Sequence, residues 1–127
     1  MIGLGLILSM LCLHVIADFH LQGCLAEMKQ RDKWKKYVEQ NELYDGDWKA
    51  AMLMHCIEWS ILIMAPMIIW RCLTGGDTVV TFSVFIVNVG LHYLIDHMKC
   101  NWKIINLRQD QIYHLLQVGL TFCIMID

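Results

Sequence analysis

The stretch TVVTFSVFIVNVGLHYLIDHM, residues 78–98, decides the fold class of this chain. It is apolar over about 20 residues, the length at which a helix rising 1.5 Å per residue crosses a hydrocarbon layer of about 30 Å. It nevertheless carries His92 and Asp96 one helical turn apart. A charged side chain at the bilayer centre costs about 2.5–3.5 kcal/mol on insertion scales, so such residues are seldom kept without a partner or a function. The stretch therefore predicts a membrane-spanning helix that contributes to a buried polar site.

Three other apolar stretches cover residues 2–25, 50–73 and 111–126, the last of marginal length. With 57% hydrophobic residues, 17% charged residues and a single proline, the composition lies outside ordinary soluble usage. We therefore expect one all-α domain over residues 1–127, built as a four-helix transmembrane bundle. A basic and aromatic connector at about residues 29–49 is expected to lie at the membrane surface.

The positions of the basic residues predict the topology. Every Lys and Arg except Arg71 lies in the first connector, between the first two spans, or around the third connector, at residues 99–108. With four spans these two connectors share one side, and the positive-inside rule assigns that side to the cytoplasm. Both termini are then expected on the non-cytoplasmic side. The net charge of −2 indicates no nucleic-acid polymer as a partner, which leaves membrane lipids and a possible homo-oligomer.

Polar side chains recur in the other apolar stretches, and the predicted topology brings all of them to the cytoplasmic half. Residues four apart share one helix face, with Cβ atoms about 5–6 Å apart. Imidazoles and carboxylates that converge from several helices are ligands of many non-thiolate metal sites, so we expect a centre for one or more divalent ions. An ion-paired structural network is the alternative. These residues are His14, Asp18, His55, Glu58, Asp110 and His114.

The remaining histidines and the cysteines give weaker signals. His20 and His97 lie on other helix faces or in the interface, so we do not expect them to be ligands. The six cysteines form no CxxC pair and are interpreted as buried apolar residues or free thiols. A zinc-binding role for Cys56, next to His55, is a minor alternative.

Three strings carry a resemblance to a known family: HVIADFHLQ at residues 14–22, HYLIDHMK at 92–99 and DQIYH at 110–114, with Lys29 and His55 between them. In this order they resemble the small bacterial and phage membrane proteins of domain-of-unknown-function family 3307. The resemblance implies a multi-pass protein of the bacterial inner membrane, of bacterial or phage origin. It implies no activity.

The spacing of the candidate ligands carries a second resemblance. Two HxxxD pairs on separate helices, one followed by Gln22, with another histidine between the pairs, are similar to the ligand pattern of the all-helical zinc-dependent phospholipase C and single-strand nuclease family. The resemblance implies a site that holds zinc, with manganese as the alternative, and that hydrolyses a phosphodiester. The metal ligands it implies are His14, Asp18, His55, His92 and Asp96.

If the site is catalytic, the other polar residues take supporting roles. Asp110 or Glu58 would be the general base, and His114 would be the leaving-group acid or a further ligand. Glutamine amides would orient the ligands, and lysines would bind an anionic, phosphate-containing substrate as point charges. These substrate-side candidates are Lys29, Lys99, Gln22 and Gln111.

Three functions fit these patterns. The first is a membrane-embedded, metal-dependent phosphoesterase that acts at the cytoplasmic face on a phospholipid, a lipid-linked phosphate or a nucleotide. The second is a proton or divalent-metal transporter or channel, because intramembrane His and Asp chains also serve as relays. The third is a non-enzymatic phage membrane protein that acts by protein contacts. The chain has no P-loop, dinucleotide-binding glycine run or GxSxG elbow, so those chemistries have no support.

Overall fold

The computed structural model describes residues 1–126; residue 127, the last of the predicted domain, lies outside the described residues. All regular secondary structure in the described range is helical, without a strand, so the all-α prediction is confirmed. The α-helices are α1 (Ile2–Ile16), α2 (Leu25–Met28), α3 (Arg31–Gln40), α4 (Asp47–Thr74), α5 (Thr78–Cys100) and α6 (Leu107–Met125). A π-helical turn (Ala17–Leu21) extends α1, and a 3₁₀ turn (Glu42–Tyr44) precedes α4.

The four long helices pack together with α4 as the common element, in contact with α1, α5 and α6. Three helical segments are long and apolar enough to cross a membrane: Ile2–Leu21, Glu42–Thr74 and Thr78–Cys100. The sequence predicted four such spans. The fourth, α6, is a continuous helix of 19 residues but is not among the three.

The interior and the outer surface of the bundle are both apolar. Methionines, one tryptophan and β-branched residues fill the centre, where Met10, Trp59, Met64 and Val118 are fully buried. Large apolar side chains also cover the outside of the long helices, with Leu116 on α6 65% exposed. A surface of this kind is suited to lipid, since a soluble protein rarely exposes so large an apolar area.

Local sequence signals fix the ends of the helices that carry the polar site. The Asp77 carboxylate accepts hydrogen bonds from the N–H groups at the start of α5. At the start of α6, Asn106 and Gln109 form a reciprocal capping box. Gly75 ends α4 in the left-handed region at φ 78°, which allows the tight turn into α5. These caps set where α5 and α6 begin, and therefore at what depth their polar residues lie.

The first connector lies against the loop that follows α5. The Arg31 N–H donates to Asn101 Oδ1 at 2.7 Å, and the Asn101 amide donates to the Lys29 carbonyl at 3.2 Å. Lys103 forms an ion pair with Asp32 at 2.5 Å. This contact, with that of Lys35, lowers the pKa of Asp32 to about 2. The two basic connectors therefore lie at the same end of the bundle.

Candidate metal centre

Polar residues of the four long helices and of the π-helical turn after α1 converge on one buried cluster at this end of the bundle. Four imidazoles form its centre, each at most 1% exposed. The carboxylates beside them are also buried, with the Asp18 side chain 6% exposed, Asp96 2% and Asp110 0%. We call this set the polar cluster: His14, Asp18, His55, His92, Asp96, Asp110 and His114.

A change in helix type places Asp18 in the cluster. After α1 the chain continues into the π-helical turn Ala17–Leu21, which contains Asp18. Single π-helical turns insert an extra residue into a helix and are frequent at functional sites. The Asp18 Oδ2 atom lies 3.7 Å from His14 Nδ1, and its Oδ1 atom lies 3.8 Å from His55 Nε2. The turn therefore directs this carboxylate toward α4.

Asp18, His55 and His92 offer the first group of atoms that could hold a metal ion. Their ligand atoms all lie within 4.8 Å of one another, and the Nε2 atoms of the two histidines are 3.1 Å apart. A tetrahedral ion with bonds of about 2.0–2.1 Å separates its ligand atoms by about 3.3–3.4 Å. The spacing of the two imidazole nitrogens is close to this value.

His92, Asp96 and His114 form a second group that overlaps the first. The His114 Nε2 atom lies 3.5 Å from Asp96 Oδ1 and 3.4 Å from Asp110 Oδ1. The other oxygen of Asp96, Oδ2, lies 3.4 Å from His55 Nε2. Asp96 thus lies between the two groups, with one oxygen toward each. Both groups share His92, and a single imidazole nitrogen binds only one ion.

Several buried atoms of the cluster have no hydrogen-bond partner. They are Asp18 Oδ1, Asp110 Oδ1, His92 Nδ1 and both nitrogens of His114. An unsatisfied buried polar group costs about 1–3 kcal/mol, and more when it is charged. Asp18 Oδ1 belongs to the first candidate group, and His114 to the second. A bound cation would satisfy such atoms, so the residues present fit a metal ion.

Two lysines partly neutralise the carboxylates. Lys29, 3% exposed, donates to Asp96 Oδ2 at 2.5 Å, and Lys99 donates to Asp110 Oδ2 at 2.6 Å. With neutral imidazoles, three carboxylates and two ammonium groups leave one negative charge on the polar cluster. This excess negative charge favours a further cation.

Two glutamines and one tryptophan contact and orient side chains of the polar cluster. The Gln22 amide lies 3.0 Å from His55 Nε2, and the Gln111 amide donates to Asp18 Oδ2 and Asp110 Oδ2, both at 3.1 Å. The Trp59 indole N–H donates to His14 Nδ1 at 3.0 Å. The same ring stacks on His92 with centroids 4.1 Å apart.

The candidate ligands in the structure differ in part from the ligands that the sequence predicted. It brings together Asp18, His55, His92 and Asp96 as candidate ligands, and adds His114 to them. His14 lies beside these groups but in neither, with Nδ1 accepting from Trp59.

Glu58 lies away from the cluster. It lines a groove on the outer side of α4 together with Leu21, Met54 and Ile61. At about 100° per residue it is rotated about 60° from His55, away from the buried face that carries Trp59. The proposed role of Glu58 as general base therefore has no geometric support.

The two histidines that were not expected to be ligands also lie outside the cluster. His20 is exposed, and His97 stacks on Trp48 with centroids 5.4 Å apart. Cys56 is buried and free, and belongs to neither candidate group. Sequence reasoning missed Trp59, which contacts three of the four histidines. The signal was its position four residues after His55, on the same face of α4.

Comparison with known proteins gives no assignment: no family model matches the chain, and neither does any curated protein or solved structure.

Proposed function

We propose that the chain is a multi-pass membrane protein in which α6 is the fourth span and both basic connectors face the cytoplasm. The contact between these connectors supports a common side for them, and the positive-inside rule makes that side cytoplasmic. Both termini then lie on the opposite side. The polar cluster lies at the cytoplasmic end, next to most of the positive charge.

At that cluster we propose a metal-dependent hydrolase that cleaves a phosphate ester. The observation that carries the proposal is the convergence of buried imidazole nitrogens and carboxylate oxygens, several of them without a hydrogen-bond partner. Asp18, His55, His92 and the Oδ2 atom of Asp96 would hold one divalent ion. A set of imidazoles and carboxylates suits zinc, with manganese as the alternative.

The chemistry assigned to the other residues follows from their free atoms. A divalent ion held there would lower the pKa of a coordinated water to about 7 and would polarise a phosphoryl oxygen. Asp110 Oδ1, which has no partner, accepts the proton of the attacking water. From Asp110 this proton passes to His114, whose Nε2 atom lies 3.4 Å from Asp110 Oδ1, and His114 donates it to the leaving oxygen as the bond from phosphorus to that oxygen breaks. Lys29 and Lys99 stabilise the charge on the phosphoryl oxygens.

The substrate is a phospholipid, a lipid-linked phosphate or a nucleotide. One divalent ion changes the charge of the cluster from −1 to +1, which favours an anionic substrate. The histidines are almost completely buried, so the substrate has to displace part of the cover. Lys29 follows α2 and ties the first connector to Asp96, which makes this connector the element expected to move.

Metal analysis of purified protein tests the centre. We expect about one zinc or manganese ion per wild-type chain, and loss of the ion in His92→Ala and Asp18→Asn. His20→Ala and His97→Ala are matched controls, because both histidines lie outside the cluster. A wild type without a stoichiometric ion, in a protein that is still helical and monodisperse, would refute the centre.

Hydrolysis is tested separately with phospholipid, lipid-linked phosphate and nucleotide substrates. We expect release of phosphate or of a phosphorylated headgroup that stops on chelation and returns with the metal. Asp110→Asn is expected to keep the ion and lose activity, because it changes the proton acceptor and not the first ligand group. Activity that survives complete removal of the ion would contradict the mechanism.

A second candidate function, proton or cation transfer, is supported by polar residues that continue beyond the cluster. Asn88 and Gln117 are buried along α5 and α6, and the Gln117 amide donates to Asn88 Oδ1 at 2.8 Å. Thr121 also donates to Asn88 Oδ1, at 3.0 Å, and Arg71 donates to Thr81 Oγ1 at 3.1 Å. Flux across proteoliposomes that is independent of metal and abolished by Asp18→Asn would favour this function over hydrolysis.

A further inference from the structure

A second site lies on the first connector and shares no residue with the polar cluster. It is a cavity of about 450 Å³ with three aromatic side chains, one carboxylate and one ammonium group in its wall. We call it the aromatic pocket. Its lining residues are Glu27, Met28, Lys33, Trp34, Tyr37 and Tyr44.

The three aromatic rings of the pocket are set obliquely to one another. The centroids of Trp34 and Tyr37 are 5.8 Å apart at an interplanar angle of 55°, and those of Tyr37 and Tyr44 are 6.3 Å apart at 70°. The Trp34 indole N–H donates to the Met28 carbonyl at 2.6 Å, which fixes the orientation of its ring. Oblique aromatic rings around one space form the kind of cage that binds an organic ammonium group, which is attracted within about 6 Å of a ring centroid.

The wall of the pocket also carries one group of each charge, which suits a ligand that has both an ammonium group and an anionic group. Glu27 lies in the wall beside the rings and can pair with an ammonium group. Lys33 Nζ lies 4.0 Å from Glu27 Oε1, and the two side chains are 53% and 74% exposed. Such an exposed pair is weak and easily opened. The pocket therefore offers an anion-binding group next to a cation-binding group.

We propose that the aromatic pocket binds the headgroup of a zwitterionic phospholipid, with its ammonium group among the rings beside Glu27 and its phosphate on Lys33. In a choline or ethanolamine headgroup, two carbons separate the phosphate oxygen from the ammonium nitrogen, so both charges fit one pocket. The pocket residues come from the chain that follows one segment of membrane-spanning length, Ile2–Leu21, and from Tyr44 at the start of the next, Glu42–Thr74. Its position favours a lipid at the membrane surface over a soluble ester.

Binding is tested on the full chain in a maltoside detergent, with phosphocholine and phosphoethanolamine as probes in calorimetric titrations. We expect Tyr37→Leu to weaken binding about tenfold and Tyr37→Phe to retain it, because phenylalanine keeps the aromatic face. Glu27→Gln and Lys33→Ala are also expected to weaken binding. The first removes the charge that pairs with the ammonium group, and the second removes the charge that pairs with the phosphate. Tyr113→Leu, which alters an exposed tyrosine of α6 outside the pocket, is the matched control.

Three outcomes would overturn the proposal. The first is equal affinity in the wild type and in well-folded Tyr37→Leu and Glu27→Gln. The second is binding of inorganic phosphate as tight as that of phosphocholine, which would make the pocket a simple anion site. The third concerns the source of the ligand and is measured in nanodiscs of mixed lipid composition. There we expect the wild type to enrich zwitterionic over anionic lipid relative to Tyr37→Leu, and the absence of this enrichment would overturn the proposal. No enrichment would assign the pocket to a soluble ester.

Discussion

Replacing Lys29 by methionine tests whether the cluster is a metal centre or a closed ion-pair network. Lys29 and Asp96 are 3% and 2% exposed, and their charged atoms lie 2.5 Å apart. Removing one partner of a buried pair typically costs about 3–5 kcal/mol, because the other charge stays buried and unpaired. We therefore expect metal-free Lys29→Met to lose about this much free energy of unfolding.

The same substitution should tighten metal binding. A divalent ion on Asp96 would lie about 5 Å from the Lys29 ammonium, and at an effective dielectric constant of about 20 this repulsion is about 6–7 kcal/mol. We expect at least about a tenfold gain in affinity after part of this energy is lost to relaxation. Added zinc should then restore most of the lost stability of Lys29→Met and stabilise the wild type less.

The assay is denaturant unfolding in detergent micelles, with chelator or with zinc. Lys33→Met is the matched control, since its ammonium is 53% exposed and contacts only an exposed carboxylate, and we expect almost no change. If Lys29→Met is as stable as the wild type in the presence of chelator, the buried ion pair is refuted. A destabilised Lys29→Met that zinc does not rescue would refute the metal centre and leave the structural network.

The remaining predictions concern single contacts. Trp59→Phe keeps the stacked ring but loses the donor to His14 Nδ1, and a loss of about 1–3 kcal/mol in unfolding experiments is expected because that nitrogen stays buried. Asn106→Ala removes the capping box of α6 and should cost about 1 kcal/mol, measured in the same way; an unchanged stability would mean that packing alone sets the start of α6. Because the folded pKa of Asp32 is lowered to about 2 from 3.8, the stability from its pair with Lys103 is present above pH 3.8 and is lost as the pH falls through 2. Asp32→Asn should abolish this pH dependence in an NMR titration of the loop, and a titration unchanged by the substitution would refute the pair.

The helices and the core of the site could be predicted because two strong signals agree. Long apolar runs define helices by length, and within them a spacing of four residues places two polar side chains on one face. His92 with Asp96 and Asp110 with His114 follow this rule, and each pair lies in the cluster. The sequence also predicts one depth for them, because both pairs lie next to a basic connector.

The rest of the site depends on rotation and packing that these signals do not contain. Glu58 is a carboxylate at the same depth as the polar cluster, but its position around the axis of α4 directs it toward the outer groove. Trp59 looks like any apolar core residue until its contacts with the histidines are known. Lys29 belongs to a run of charges that is typical of a solvated surface, yet it is buried against Asp96. The π-helical turn that directs Asp18 has no distinctive composition.

The charge of the cluster limits how many ions one chain can hold. The buried carboxylates and lysines leave one negative charge, so a single divalent ion with a bound hydroxide or a singly charged phosphodiester makes the interior neutral. Two divalent ions would leave three positive charges inside an apolar bundle, and neutralising them would require further anions. Because both candidate groups share His92, two ions would also have to divide its two ring nitrogens between them. Charge therefore favours one ion per chain in the proposed centre, which would leave His114 and Asp110 for the proposed proton transfer.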